Sequence, residues 1–158
     1  MGALRAREQV AYAGWLRGMS RSAAWSGAGQ ALDRVGLETR ADVRTSELSG
    51  GQLRRLGLAE ALVADPRVLL LDEPTAGLDP EQRARFREAL LDLEPSCTVV
   101  VSTHQVDDLQ GLFDRVVVLV AGRIAYDGPV TAFLRTSSEA SEVLRAEEAY
   151  RRILGEGS

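Results

Sequence analysis

The 158-residue sequence contains no lysine, so all 19 of its basic residues are arginine. This excludes an intact phosphate-cradling loop of the form GxxxxGK[ST], whose lysine reaches the phosphates. It has one cysteine, Cys97, which rules out an internal disulfide and any cysteine-based zinc cluster and predicts a buried or half-buried thiol. Long apolar runs are absent as well. The longest, Val116 to Ala121, is far short of the roughly 20 residues that a bilayer span requires, and the N-terminal residues have no signal-peptide apolar region. Nor is there a basic stripe: the net charge is -4 and the arginines are scattered beside acids, which argues against direct nucleic-acid binding.

The remaining composition, 45% hydrophobic and 27% charged, is that of a globular chain long enough for a proper core. Leu4 to Leu16 and Ser22 to Val35 carry helical spacing, with Trp25, Ala28, Leu32 and Val35 on one face and both Trp15 and Trp25 expected in the core. Gly36 and the polar run Glu38 to Glu47 break the pattern. A third helix starts at Gly50-Gly51-Gln52 and places Leu53, Leu56, Ala59 or Glu60, and Val63 along one face.

After Asp65-Pro66, the run Val68 to Leu71 predicts a strand buried on both faces and ending at Asp72. Asp79 is an N-cap, Pro80 suits the first helical position, and Gln82 is placed to close a capping box. The helix they open would bury Phe86, Ala89, Leu90 and Leu93. Thr98 to Val101 is a second buried-type strand, Val106 to Phe113 a short helix, and Arg115 to Val120 a third strand that turns at Ala121-Gly122 into Arg123 to Tyr126. Ser137 to Leu154 predicts a final amphipathic helix. Alternating strands and helices of this kind predict an α/β layer.

Three local patterns carry chemistry. Val68 to Glu73 delivers two adjacent carboxylates at the C-terminal end of a strand, where ligands bind in open α/β sheets. There Asp72 can hold Mg2+ and Glu73 can polarise an attacking water. Leu48-Ser49-Gly50-Gly51-Gln52 sets a hydroxyl and two glycines at a helix N-terminus, where free amides and the dipole favour a phosphate. An ordinary serine cap is the plainer reading of the same residues. His104, the single histidine, follows the second strand, where a neutral imidazole can donate to a phosphate oxygen or cap the next helix.

Together these residues resemble the C-terminal part of an ATP-binding cassette (ABC) transporter nucleotide-binding domain. Leu48 to Gln52 is similar to the signature, Leu69 to Glu73 to the Walker B strand, Ala76 to Asp79 to the D-loop and His104 to the H-loop. The likeness is tight from Leu48 to His104, and DRVVVLVAGRIAYDGP (Asp114 to Pro129) is similar to the strands that follow the H-loop.

The resemblance implies a partial RecA-like P-loop NTPase core, α/β with a mainly parallel sheet and flanking helices, joined to an α-helical subdomain. It assigns residues 1–65 to the helical subdomain with its signature, 66–135 to the core and 136–158 to a helical tail. It implies ATP and Mg2+ as cofactors, Glu73 and His104 as catalytic residues, and Asp72 as the metal ligand. Ser49, Gly50, Gly51, Gln52 and Asp79 would face nucleotide across a head-to-tail dimer of two such domains. The implied setting is cytoplasmic, at a membrane permease, in the style of a bacterial drug or polyketide exporter.

The upstream pieces of the family pattern are missing: there is no GxxGxGK[ST], and Gln9 and Gln30 lie in helical stretches instead of a Q-loop. The expectation is therefore of an ATPase fragment inactive alone. A non-hydrolysing module lending its signature face to an intact cassette is the alternative. A DNA-repair or translation ATPase is disfavoured by the lack of a basic surface. The strand from Thr98 is expected to present an open apolar edge.

Overall fold

The computed structural model describes residues 4–93, 97–104 and 111–135, together with Arg151 and Ile153. The chain divides into two compact units, Met1–Ser102 and Thr103–Ser158.

The first unit opens with an antiparallel pair of helices, α1 (Ala6–Leu16) and α2 (Arg21–Arg34), onto which α3 (Gly50–Leu62) packs. Small residues make the close approach possible: Ala6, Val10 and Gly14 of α1 face Ala24, Ala28, Ala31 and Leu32 of α2, all buried. A Cβ on Gly14 would lie 2.9 Å from Met19 Sδ, so the crossing has no room for a side chain there. Ser20 caps α2 by accepting from Ala23 N at 3.2 Å. Gly36, at φ +62°, ends α2 in a Schellman turn: Leu37 N donates to Leu32 O (2.8 Å) and Gly36 N to Asp33 O (2.9 Å). The glycine that interrupts the sequence pattern is thus the one that the backbone requires.

Two expectations for this layer fail. Trp15 and Trp25 are 50% and 46% exposed, not core residues. Arg7 Cζ lies over the Trp25 ring, 4.4 Å from the ring centroid, and the Trp15 and Tyr12 ring centroids are 5.8 Å apart. The crossing is filled by alanine and glycine, leaving no space for an indole. On α3, Leu56, Ala59 and Val63 are buried as expected, but Leu53 is 44% exposed, while Arg55 is buried at 4%.

Next come β1 (Val68–Asp72), α4 (Pro80–Leu91) and β2 (Thr98–Ser102). The two strands pair in parallel, with Val68 opposite Thr98, Leu70 opposite Val100 and Asp72 opposite Ser102. Phe86, Ala89 and Leu90 of α4 are buried, and burying a side chain of Phe or Leu size contributes about 1.5–3 kcal/mol. Burial of β1 on both faces is not observed. Leu69 is 3% exposed, but Val68, Leu70 and Val100 are 56%, 73% and 50% exposed. Within the described residues this parallel sheet has two strands, and the side chains on one of its faces remain open. Cys97 is half-buried, as anticipated.

In the second unit, β3 (Arg115–Val120) and β4 (Arg123–Pro129) form an antiparallel hairpin. Its two-residue turn, Ala121-Gly122, has φ of +48° and +75°, the twist that suits a tight hairpin. The chain then enters α5 (Val130–Arg135), whose Val130 and Phe133 close a small core with Val118. The Tyr126 ring lies 5.3 Å from that of Phe133, and its hydroxyl donates to Pro129 O at 3.0 Å. Of the helix expected over Val106 to Phe113, residues 106–110 lie outside the described residues. So does the expected tail helix, except Arg151 and Ile153, both helical.

Candidate active site

The Ser49 turn is a complete capping box. Ser49 Oγ accepts from Gln52 N at 3.3 Å, and Gln52 Oε1 accepts from Ser49 N at 2.9 Å. Both Ser49 and Gly50 are exposed, whereas Gly51 is buried. The first amides of α3 have no acceptor within the helix, so the turn presents donors and the positive end of a dipole to solvent. Gly51 is enclosed for a different reason. A Cβ built there would lie 2.5 Å from Gln82 Oε1 and 2.7 Å from its Cγ.

Gln82 therefore does not do what its position predicts. Asp79 caps α4, with its Oδ1 accepting from Gln82 N at 2.8 Å, and Pro80 occupies the first helical position as expected. The Gln82 side chain, instead of closing a capping box, turns across Gly51 towards Arg55, whose Nη2 lies 3.5 Å from Gln82 Oε1. A buried guanidinium nearby offers stronger attraction than an amide already at the helix start.

At the end of β1, the two carboxylates separate. Asp72 is exposed and its Oδ1 accepts from Ser102 Oγ on the paired strand. Glu73 is half-buried and turns into left-handed backbone at φ +43°, its N–H held by Ser102 O at 2.9 Å. A non-glycine residue in that region costs about 1–2 kcal/mol. The turn that follows is pinned by Ala76 N to Glu73 O (3.2 Å) and Leu78 N to Thr75 O (3.1 Å), with Gly77 at φ +74°. Ser102 was not singled out from sequence, and it holds both acids in place.

Asp72 offers a single carboxylate, and among the described residues no group of three or more His, Cys, Asp or Glu gathers to hold a metal. The one exposed carboxylate of Asp72 is of the kind Mg2+ takes, since that ion binds one or two carboxylates and completes its octahedron with water and substrate phosphate. His104 is exposed and belongs to the second unit. The structure thus brings Ser49 to Gln52 against the start of α4 beyond Asp79, and Asp72 and Glu73 against Ser102.

Arg55 is the other residue that sequence reasoning missed. Its Nη1 donates to Val35 O (2.9 Å) and Gly36 O (3.1 Å), the carbonyls at the end of α2. Burial first, and then the charge of Arg85, pull its pKa below the ordinary arginine value, against a smaller pull upward from Glu38.

Residues 3–76 match the family described as ABC transporter. This segment is similar to the ATP-binding domain of ABC transporters. Over 99 residues the chain is 48% identical to Nod factor export ATP-binding protein I of Neorhizobium galegae, covering 62% of this chain and 28% of that protein. Over 104 residues it is 49% identical to the phosphonates import ATP-binding protein PhnC of Stutzerimonas stutzeri, covering 65% and 38%. The taurine import ATP-binding protein TauB of Sinorhizobium fredii is 40% identical over 156 residues, covering 95% and 58%. A solved structure titled as an inward-facing conformation of a putative metal-chelate type ABC transporter aligns with TM-score 0.75 and 27% identity, over 91% of this chain and 57% of that one. The chain thus spans between about a quarter and three fifths of the proteins it matches. ABC ATP-binding proteins are ATPases that use ATP with Mg2+, and the α/β architecture seen here is a partial version of their fold. Relatives named for import match as well as those named for export, so the similarity does not single out an exporter.

Proposed function

We propose that this chain supplies the signature turn and the Walker B carboxylates of an ABC transporter's ATP-hydrolysing subunit, working with a transmembrane permease at the cytoplasmic face of a membrane. The observation that carries the reading is the pair of presented elements in one unit. A capped Ser49–Gln52 turn with Ser49 and Gly50 exposed is accompanied by Asp72 and Glu73 fixed at a strand end by Ser102.

In this reading Ser49, Gly50 and Gly51 donate to the terminal phosphate of ATP held by a partner domain, and Gln52 keeps Ser49 in place. Asp79 communicates across the same head-to-tail interface. Glu73 orients and deprotonates the attacking water from a residue whose backbone leaves the extended strand conformation at φ +43°. His104 donates to the phosphate that the water attacks. Asp72 would ligate Mg2+, which when bound neutralises phosphate charge. The sequence has no lysine, so one that grips the nucleotide would have to be supplied by another half or another chain. The transported substrate would be read by the permease.

The test is MgATP turnover. The chain alone should show none. Joined to a half that carries GxxGxGK[ST], it should hydrolyse ATP, and Glu73→Gln, His104→Ala or Ser49→Arg should each abolish turnover while leaving nucleotide binding largely intact. Turnover by the chain alone that vanished in Glu73→Gln would overturn the dependence on another half. A joined protein that binds ATP without hydrolysing it would favour the alternative, a non-hydrolysing module lending its signature face.

A further inference from the structure

Arg55 is an expensive residue for its position. It is 4% exposed, has no carboxylate within ion-pair distance among the described residues, and its Nε is buried without a hydrogen-bond partner. A buried cation met only by carbonyls and an amide is costly, and an apolar side chain of similar volume is usually the more stable choice. What the guanidinium does that leucine could not is reach two places at once. Nη1 holds the carbonyls that end α2, and Nη2 reaches towards Gln82 Oε1 on α4.

Gln82 is the hub at the other end. Its backbone N–H is bound by Asp79, its side-chain carbons cover Gly51 more closely than any Cβ would permit, and its amide oxygen faces Arg55. One residue thereby touches the Asp79 turn, the backbone of the Ser49–Gln52 turn and the buried cation beneath both.

We propose that Gln82, held by Arg55, is a positioning residue that fixes the Ser49–Gln52 turn against the Asp79 turn, so that a phosphate engaged by the first is felt at the second. The phosphate clause rests on the function proposed above; the tether itself does not. Leucine at position 82 keeps the bulk over Gly51 and removes the acceptor, whereas glutamate keeps the acceptor and gives Arg55 a carboxylate.

Amide hydrogen exchange on the labelled chain reads the tether directly. Gln52 N and Leu53 N are bound to Ser49 Oγ and Ser49 O, and so report whether the turn is held. Gln82→Leu should speed exchange at these two amides about tenfold, the exchange equivalent of roughly 1.4 kcal/mol, with little change in thermal midpoint, and Gln82→Glu should restore the slow rate. Parent-like rates in Gln82→Leu, or equal acceleration in both variants, would overturn the proposal. If Gln82→Leu does not fold, Arg55→Lys serves the same purpose, because a single ammonium cannot span both contacts; parent-like exchange there is equally fatal.

In an ATP-competent joined protein, Gln82→Leu should lower kcat about tenfold at unchanged KM, with rescue by Gln82→Glu. Unchanged kcat would overturn the coupling to phosphate. A joined parent protein with no turnover counts against the ATPase reading alone, and the exchange result then decides the tether.

Discussion

Ser102 donates its hydroxyl to Asp72 across the parallel strands, and its carbonyl accepts the N–H of the next residue, Glu73, at 2.9 Å. One residue on β2 therefore orients one acid through its side chain and the other through the backbone. Ser102→Ala removes only the first contact. Because both partners are exposed, the stability cost should be about 1 kcal/mol or less by urea unfolding. In an ATP-competent joined protein, turnover should fall about tenfold while Ser102→Thr stays near the parent, within the range typical for lost positioning contacts. Equal activity in all three would remove Ser102 from the site.

Gly51→Ala should change sign with its background. In the parent the new methyl would displace the Gln82 side chain, costing about 1–2 kcal/mol in urea unfolding. In Gln82→Ala the obstruction is gone, and the same substitution should stabilise by roughly 0.5–1 kcal/mol through reduced unfolded-state entropy. Two equal effects in this double-mutant cycle would show that the glycine and the glutamine do not interact.

In the hairpin, Arg115 Nε and Nη2 bind Asp127 Oδ1 and Oδ2 at 2.7 and 2.8 Å. This hydrogen bond chiefly, with the cation's charge, holds the Asp127 carboxyl below its ordinary value and the guanidinium above its own. A depressed acid pKa contributes stability that is present above the unfolded-state value and lost as pH falls through the folded one. Carboxyl-carbon NMR should therefore show Asp127 titrating below the usual aspartate range, and Arg115→Gln should move its midpoint upward. An unmoved midpoint would dismiss the pair as an electrostatic contact.

Val68, Leu70 and Val100 line an open apolar stripe on the parallel sheet. Stripes of this kind promote association. Leu70→Thr with Val100→Thr should reduce light scattering of the chain at raised concentration, while unfolding free energy stays within about 0.5 kcal/mol of the parent. Undiminished scattering would locate the association elsewhere.

What was legible in the sequence was what neighbouring residues decide among themselves. Ser49 and Asp79 announce their caps because capping acts over three residues, and Gly36 announces the end of α2 because left-handed backbone needs it. Burial of Val68 and Leu70 was misread because an apolar strand records what it is suited to touch, not what the described residues place there. Trp25 was misplaced because helical spacing marks a face without saying how much room the opposing helix leaves. Arg55, Gln82 and Ser102 stayed hidden for one shared reason. A charge on a helix, a glutamine near a cap and a serine at a strand end all read as surface, and only the α3–α4 crossing and the β1–β2 register give them partners. α5 is six residues long, too short for periodicity to reveal.

In the role proposed for Glu73, its left-handed turn sets folding and chemistry in opposition at a single codon. Glycine and asparagine are the replacements that its backbone tolerates best, and neither carries a carboxylate to a water. In a saturation library the variants enriched by selection for abundance at position 73 should be those depleted by selection for hydrolysis. Two rankings that run in reverse at this position would mark a less comfortable residue kept for the proposed hydrolysis.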